Sequence, residues 1–445
     1  MMHGSRPTGM LAFTVVWFGQ VISLLGTSMT SFALTIWVWE ITGEATALAL
    51  VAFFSFSPVV LVSPVAGALV DRWNRKLTMM LSDLAAGLST AVILLLFATD
   101  GLQIWHLYVA GAFSGVFGAF QFPAYSAAVT MMLPKEQYAR ASGMLSLAQS
   151  ASGFFAPLLA AVLLGVVGVT GILSIDVVTF LVAIGTLLLV HIPQPRVTEA
   201  RRKGLGSIWK ESVYGFSYIF RRPSLLGLQL VFFATNLIAT FGLIVLSPMI
   251  LARTGNDEIV LGIVRSAGAI GAVVGGAVLS LWGGPKRRVH GVLMGMVLAH
   301  LPFVLMGFGR SLHIWASASS LGLLFIPIIN GSNQAIWQAK VAPNVQGRVF
   351  ATRRLIAQIS APVSMAVAGP LADRVFEPAM MPGNSLAAVF GGMVGTGPGA
   401  GMALMFVITG VLGALVGLGG YTSRVVRNAE DLSPDHDAEV VVSSE

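Results

Sequence analysis

The sequence predicts an all-α integral membrane protein with twelve transmembrane helices arranged as two pseudo-symmetric six-helix bundles. Of its 445 residues 56% are apolar and only 10% are charged, whereas soluble domains average about 45–50% apolar and 25% charged. The mean hydropathy is +0.83. The charged residues also lie in short clusters between long apolar runs, as in loops between membrane helices.

The apolar runs between these clusters are long enough to cross a bilayer as helices. One crossing takes about 20 residues over a hydrocarbon core of about 30 Å. The first run, 11–37, is too long for the apolar region of a signal peptide, so we expect it to remain as a helix. The predicted helices are 11–37, 45–70, 77–99, 105–132, 141–167, 170–192, 223–251, 258–282, 289–309, 312–338, 347–371 and 400–421.

The distribution of basic residues predicts the topology. With the N-terminus in the cytoplasm, all but four of the 26 Lys and Arg residues lie on the cytoplasmic side. Arg253, Arg310 and Arg374 lie outside, and Arg265 lies within a span. Because cytoplasmic loops are enriched in Lys and Arg, both termini are predicted to be cytoplasmic.

Changes in composition divide the chain into four parts. Residues 1–192 and 223–421 are the two predicted bundles, and 193–222 is a basic linker with an amphipathic helix on the membrane surface. Residues 422–445 form an acidic cytoplasmic tail, which we expect to be disordered after Arg427. The Gly-rich stretch 382–401 is predicted to be an irregular outer loop or a half-inserted segment.

Several classes of function are disfavoured. The chain has no Cys, which excludes disulfides, thiolate metal sites and Cys nucleophiles. It has no P-loop motif for ATP hydrolysis. Its seven His residues form no HxxxH or HExxH pair, so we expect no metal, no cofactor and no enzymatic activity. The scattered basic clusters favour contact with the lipid bilayer and not with nucleic acid.

The two halves repeat one another. Gln20 and Asn236 are 216 positions apart, and Gln121 and Asn330 are 209 apart. Other pairs of residues of the same type show the same two offsets, in the same order along the chain. A short deletion in the second half accounts for the change from one offset to the other. This pattern is typical of parallel six-helix repeats.

The loop after the second helix carries the most specific motif, G-A-L-V-D-R-W-N-R-K from Gly67 to Lys76. Gly67 allows close helix approach, Asp71 can face the positive end of another helix, and Arg72, Arg75 and Lys76 suit anionic headgroups. The motif resembles G-x-x-x-D-R-x-G-R-R/K of the major facilitator superfamily, with Asn74 where glycine is common.

The resemblance extends over nearly the whole chain, including W-F-G-Q-V-I-S-L-L-G at Trp17–Gly26 and F-Q-F-P-A at Phe120–Ala124. These segments are similar to the bacterial macrolide-efflux and enterobactin-exporter branch. The resemblance implies a monomeric exporter in the prokaryotic plasma membrane. It also implies that Asp71 braces its loop against the start of the eleventh helix. A second G-x-x-x-D-R, at Gly369–Arg374, is either an interfacial helix end or an outer gate.

Polar stripes on the predicted helices indicate a transport cavity. The resemblance implies that helices one, four, seven and ten line it, and amides on these helices would have poor partners in lipid. Gln121 and Asn330 are expected to face each other across the cavity. The alternative is that the polar groups hydrogen-bond between helices. The predicted cavity residues are Gln20, Ser23, Thr27, Gln121, Tyr125, Gln149, Asn236, Thr240, Asn330, Asn333, Gln334, Trp337 and Gln358.

Amides, hydroxyls and aromatic rings suit a bulky amphiphile. The sequence therefore predicts a secondary active exporter of lipophilic or amphiphilic molecules, working by proton-coupled antiport. The intramembrane coupling candidates are Asp176, Asp83 and Arg265. Asp176 and Asp83 can instead snorkel or accept hydrogen bonds, and Arg265 can instead reach the outer interface. The alternatives are a dedicated siderophore or metabolite exporter, an importer and, in a different class, a membrane enzyme acting on lipids.

Overall fold

The computed structural model describes residues 9–70, 73–193 and 214–432, and every regular element in these ranges is helical. The predicted all-α class is thus confirmed. The described chain forms two compact units. Unit 1 contains residues 9–42 and 50–193, and unit 2 contains Gly43–Ala49 and residues 214–432.

The first five helices account for the first six predicted spans. Helix α5 has 52 residues, or about 78 Å at 1.5 Å per residue, more than twice the hydrocarbon thickness. It is broken at Gly168, whose φ of 64° is not helical. Its two arms match the predicted fifth and sixth helices. The bounds are α1 Gly9–Thr42, α2 Ala45–Val70, α3 Arg75–Ala98, α4 Ile104–Met132 and α5 Tyr138–Leu189.

Eleven helical stretches of the described chain are long and apolar enough to span a membrane. Counting the two arms of α5 separately gives the predicted twelve. The predicted eleventh helix, 347–371, is divided at Ile359 into α10 and α11, and a π-helical turn at Ala372–Phe376 follows α11. The bounds are α6 Pro223–Thr254, α7 Glu258–Trp282, α8 Arg288–Phe308, α9 Leu312–Lys340, α10 Pro343–Gln358, α11 Ser360–Leu371, α12 Glu377–Ala379, α13 Ser385–Val394, α14 Ala400–Thr422, α15 Arg424–Arg427 and α16 Ala429–Leu432.

Small residues let the helices of unit 1 approach closely. A Cβ on Gly19 of α1 would lie 2.2 Å from Thr186 Oγ1, and one on Gly87 of α3 would lie 2.3 Å from the Phe180 ring. Thr186 and Phe180 both belong to the second arm of α5. Glycine at these crossings brings α1 and α3 against that arm, as in other membrane helix pairs.

Unit 2 uses the same device between α7 and α9. A Cβ on Gly271 would lie 1.9 Å from the Ser320 carbonyl oxygen, and one on Gly275 would lie 1.9 Å from that of Leu324. The two glycines are four residues apart and so lie on one face of α7. A larger residue at either position would force the two backbones apart.

Three helix N-termini in unit 2 are capped by carboxylates that lie outside the capped helix. Asp373, in the π-helical turn, accepts hydrogen bonds from the backbone N–H groups of Ala45 at 3.0 Å and Thr46 at 2.7 Å, at the start of α2. Thr46 Oγ1 also donates to it, at 2.5 Å. The second G-x-x-x-D-R motif therefore supplies a helix cap.

The other two caps are glutamates. Glu377 accepts from the N–H groups of Gly399 at 3.0 Å and Met402 at 2.8 Å, at the start of α14. Glu430 accepts from those of Arg288 at 3.1 Å and Val289 at 2.9 Å, at the start of α8. Each carboxylate satisfies donors that a helix leaves unpaired at its N-terminus.

Two sequence-based expectations need comment. The stretch 382–401 contains the ten-residue helix α13, so it is not a wholly irregular loop, and the alternative of a half-inserted segment stays a prediction. The tail is ordered to Leu432, because Glu430 caps α8 and Asp431 forms an ion pair with Arg287. The predicted surface helix of the linker falls mostly outside the described residues, although 214–220 are helical.

Candidate functional site

A polar cluster in unit 1 joins an intramembrane acid to two of the predicted cavity amides. Gln20 Nε2 donates to Asp83 Oδ2 at 2.8 Å, and Gln121 Nε2 donates to Asp83 Oδ1 at 2.8 Å. Gln121 Nε2 also donates to Gln20 Oε1 at 3.0 Å. Both carboxylate oxygens therefore have an amide donor, which stabilises the ionised acid.

Three helices hold this Asp83 cluster in place. Gln20 lies on α1, Asp83 on α3 and Gln121 on α4. Ser82 Oγ donates to the Phe117 carbonyl oxygen at 3.0 Å, which ties α3 to α4 one turn from Gln121. The Asp83 side chain is only 8% exposed. A buried carboxylate between two amides can change its hydrogen bonding when it gains or loses a proton, because an amide both donates and accepts.

The cluster leaves one acceptor unsatisfied. Gln121 Oε1 is buried without a hydrogen-bond partner in the described chain. A buried polar atom of this kind is costly unless a donor reaches it. A proton on Asp83, or an N–H or O–H of a bound molecule, could supply that donor after a small rotation of the amide.

Asp176 is placed differently. It is 2% exposed, on the second arm of α5. Thr27 Oγ1 of α1 donates to its Oδ1 at 3.1 Å, and Thr90 Oγ1 of α3 donates to its Oδ2 at 3.0 Å. Asp176 thus accepts from threonine hydroxyls, whereas Asp83 accepts from the amides of Gln20 and Gln121.

The remaining predicted cavity residues of unit 1 differ in how deeply they are buried. Ser23 is half-buried and Gln149 is exposed. Tyr125 belongs to the apolar core of the unit and is 8% exposed, with its hydroxyl unsatisfied in the described chain. Packing is therefore its main visible role.

In unit 2 the predicted cavity residues are not brought into one cluster. Asn330 is exposed, whereas Asn236, Thr240, Gln334 and Gln358 are half-buried. Thr240 Oγ1 donates to the Asn236 carbonyl oxygen at 2.8 Å, within its own helix. The prediction that Asn330 faces Gln121 stays a prediction.

Trp337 and Asn333 belong to the core of unit 2. Trp337 is 0% exposed, Asn333 is 1% exposed, and the indole N–H donates to Asn333 Oδ1 at 3.1 Å. The guanidinium carbon of Arg353 lies 5.3 Å from the Trp337 ring centroid, within cation–π range. These contacts favour a packing role for Trp337 over the predicted cavity role.

Arg265 is half-buried on α7 of unit 2. Its Nη2 donates to Ser247 Oγ at 2.7 Å. Both residues line a cavity of about 230 Å³. The other lining residues are Leu243, Leu246, Phe303, Met306, Ser319, Leu323 and Phe406.

The loop motif is described in part. Asp71 and Arg72 lie outside the described residues, so the predicted brace stays a prediction. Gly67 is half-buried near the end of α2. Arg75 is 5% exposed and donates to the Ala127 carbonyl oxygen at 3.3 Å, and Lys76 Nζ donates to that of Val190 at 2.7 Å. These two cations therefore bind carbonyl groups of neighbouring segments, in addition to any role at headgroups.

Sequence reasoning missed Thr30 and Thr90 beside Asp176. Thr27 and Thr30 are three residues apart on α1, and this spacing places them on one face. That signal was present in the sequence. Thr90 carries no such signal, because only the packing of α3 against α5 brings it to the carboxylate.

Comparison with known proteins agrees with this architecture. The chain is 25% identical to macrolide efflux protein A of Streptococcus pyogenes over 368 residues, which cover 82% of this chain and 90% of that protein. It is also 25% identical to the multidrug efflux pump Tap of Mycolicibacterium fortuitum, covering 81% and 88% of the two chains.

A solved structure shares the fold. A bacterial homologue of the human lysosomal transporter Spinster, in an inward-facing and unoccupied conformation, superposes with a TM-score of 0.70. The match covers 97% of this chain and 98% of that one, at 16% identity. Residues 16–365 match the family profile of the Major Facilitator Superfamily. The chain is a multi-pass membrane transporter, not an enzyme, and it belongs to the Major Facilitator Superfamily.

Proposed function

We propose that this chain is a proton-coupled exporter of lipophilic or amphiphilic small molecules. It acts as a monomer in the prokaryotic plasma membrane with both termini in the cytoplasm. The observation that carries the proposal is the Asp83 cluster, in which a buried acid is hydrogen-bonded to Gln20 and Gln121. The efflux activities in the names of the curated relatives support export of bulky amphiphiles.

Coupling follows from the shared hydrogen bonds. Protonation of Asp83 removes the charge that holds the two amide donors, so the amides are freed to bind substrate or to reorient. Protonation of Asp83 thereby changes the free energy of substrate binding. Substrate bound at the amides changes the free energy of Asp83 protonation by the same amount, because linkage is reciprocal. We assign coupling to Asp83 in preference to Asp176 because Asp83 contacts both Gln20 and Gln121.

The loop at Gly67–Lys76 serves the conformational change in this proposal. Asp71 would stabilise one of the two access states by about 0.5–2 kcal/mol, as a charged group at a helix N-terminus does. Asp71→Asn should therefore lower turnover while leaving expression intact. Unchanged turnover would make Asp71 a topological residue only.

The test is transport in proteoliposomes with an imposed pH gradient. The panel contains a macrolide, an amphiphilic dye, a siderophore and a hydrophilic sugar. Accumulation of the first two, abolished by a proton ionophore, is the expected result. Accumulation of the siderophore alone would favour a dedicated exporter, and accumulation that survives the ionophore would contradict proton coupling.

A further inference from the structure

Unit 2 contains a cavity that the proposed function does not use. Its volume is about 230 Å³, and residues of five helices line it, α6, α7, α8, α9 and α14. Protein interiors are close-packed, with few voids larger than a water molecule. A cavity of about 150 Å³ already holds benzene, so in proportion this one admits about nine non-hydrogen atoms. The cavity is therefore large enough for a small organic ligand.

Part of the cavity wall is polar and cationic. Arg265 on α7 donates through Nη2 to Ser247 Oγ on α6 at 2.7 Å, and both residues line the cavity. Ser319 on α9 adds a second hydroxyl, which lies beside α7, because a Cβ on Gly268 would be 2.6 Å from Ser319 Oγ. Gly268 is one turn beyond Arg265 on the same face of α7. Three neighbouring helices thus supply one cation and two hydroxyls.

The rest of the wall is apolar and includes two aromatic rings. Phe303 on α8 and Phe406 on α14 lie edge to face, with ring centroids 5.6 Å apart and planes at 76°. Leucine and methionine side chains complete this part of the wall. A surface of this kind binds an aromatic or aliphatic body by stacking and shape.

The charge of the wall selects the head group of the ligand. Among the described residues that line the cavity, Arg265 is the only charged one. Its planar guanidinium carries five N–H donors in a fork that matches a carboxylate, so it can bind one in addition to Ser247. An ionisable group within a membrane bundle is costly and is typically retained for function. A cation in an otherwise apolar wall therefore indicates a ligand with an anionic head and an apolar body.

From this wall we propose that the cavity binds a small lipophilic carboxylate, with the head group on Arg265 and the body against Phe303 and Phe406. The site is built from residues of unit 2 alone, whereas the Asp83 cluster belongs to unit 1. The inference goes beyond the proposed function and does not depend on it, since binding of an acid can be measured without transport.

The experiment measures thermal unfolding of the purified full-length chain in a non-ionic detergent at constant ionic strength, with NaCl replaced stepwise by sodium benzoate. Benzoate has the size that the cavity admits. Benzamide is the control ligand, because it has nearly the same shape without the charge. A ligand that binds only the folded state raises Tm with its concentration. Wild-type Tm should rise saturably with benzoate and should not rise with benzamide.

Arg265→Gln tests the contact with the head group. Glutamine can still hydrogen-bond to Ser247 but carries no charge. The variant should require about tenfold more benzoate, or more, for half of the effect, as expected when a charge-assisted hydrogen bond is lost. Arg221→Gln is the matched control, because it makes the same change at an exposed residue before α6. It should respond to benzoate as wild type does.

A second variant fills the cavity and leaves Arg265 in place. Leu246 lines the cavity from α6 and is 8% exposed. Leu246→Trp should place a larger ring in that space, so the variant should fold without ligand and lose its response to benzoate. Leu301→Trp is its control, because Leu301 is 51% exposed on α8 and does not line the cavity. This control should keep the wild-type response.

Three results would overturn the proposal. The first is a wild-type Tm that does not change with benzoate. The second is an equal rise with benzamide, which would make the cavity a site for neutral apolar molecules. The third is a wild-type benzoate response in Arg265→Gln or, if that variant does not fold, in Leu246→Trp. A failure of proton-driven export would leave a positive benzoate result standing, so the two proposals are tested separately.

Discussion

At the scale of single residues, Gln121 is the side chain on which the candidate site most depends. It donates to both Asp83 and Gln20 through one nitrogen. Gln121→Leu should retain expression, because a buried amide is replaced by a side chain of similar size. It should lower apparent substrate affinity by a few-fold to about tenfold, since the lost hydrogen bond from the amide to the substrate contributes about 0.5–1.5 kcal/mol.

The measurement is binding of the best panel substrate to the purified variant. Gln338→Leu is a matched control, because Gln338 is exposed near the end of α9. Equal affinities for wild type and Gln121→Leu would show that the amide only fixes the helices. Gln20→Leu should behave like Gln121→Leu.

Some residue roles could be predicted from the sequence and others could not. The poor fit of amides in lipid predicts a functional position for Gln20 and Gln121, and it predicts the same for Asn330, which is exposed. Periodicity places a residue on a face but does not say what that face meets. The sequence identifies Asp83 as a coupling candidate but not its partners, because its two amide donors come from other helices.

At the scale of helices, glycine contacts set how closely α1 packs on the second arm of α5. Gly26→Ala should destabilise the protein by about 1–3 kcal/mol, because its Cβ would meet Asp176 and Thr179 in a filled crossing. Gly185→Ala is the control, since no atom lies within 4 Å of its added Cβ. Alanine has the better helix propensity, so this control should be neutral or stabilising.

Thermal unfolding of the two variants in detergent decides between these outcomes. If Gly26→Ala unfolds at the wild-type temperature while keeping its fold, the crossing has room that the structure does not show.

The carboxylate caps give a second prediction at this scale. Asp373→Ala should destabilise the protein by about 0.5–2 kcal/mol, because it leaves the first N–H groups of α2 without their acceptor. Asp257→Ala is the matched control. Asp257 caps a different helix, α7, from the adjacent position in the chain, where it accepts from Val260 N–H at 2.9 Å. Hydrogen exchange should speed up at Ala45 and Thr46 in the first variant only.

Wild-type exchange rates at Ala45 and Thr46 in Asp373→Ala would contradict the cap. The sequence contained the motif from Gly369 to Arg374, but it could not identify the helix that Asp373 caps. That partner is more than 300 positions away in the chain and becomes adjacent only after folding.

At the scale of the whole molecule, composition and periodicity were enough to predict the helical membrane architecture. Long apolar runs give helices because a backbone in lipid must satisfy its own hydrogen bonds. Composition and periodicity do not predict the π-helical turn after α11, and they do not predict that Glu430 and Asp431 are ordered. Both depend on contacts with segments distant in sequence, which a local pattern does not contain.

The topology can be tested directly because the chain has no Cys. With a cytoplasmic linker, Lys203→Cys should react with an impermeant thiol reagent only after the cells are opened. Labelling from outside intact cells would reverse the assignment made from the basic residues.

The central claim is that Asp83 couples proton movement to export. The most direct test compares Asp83→Asn with wild type in the same proteoliposomes, in two modes of transport of one substrate. Counterflow needs no proton movement, whereas accumulation against a gradient does. We predict that Asp83→Asn keeps counterflow and loses accumulation driven by the pH gradient. Gradient-driven accumulation at the wild-type level in this variant would contradict the claim.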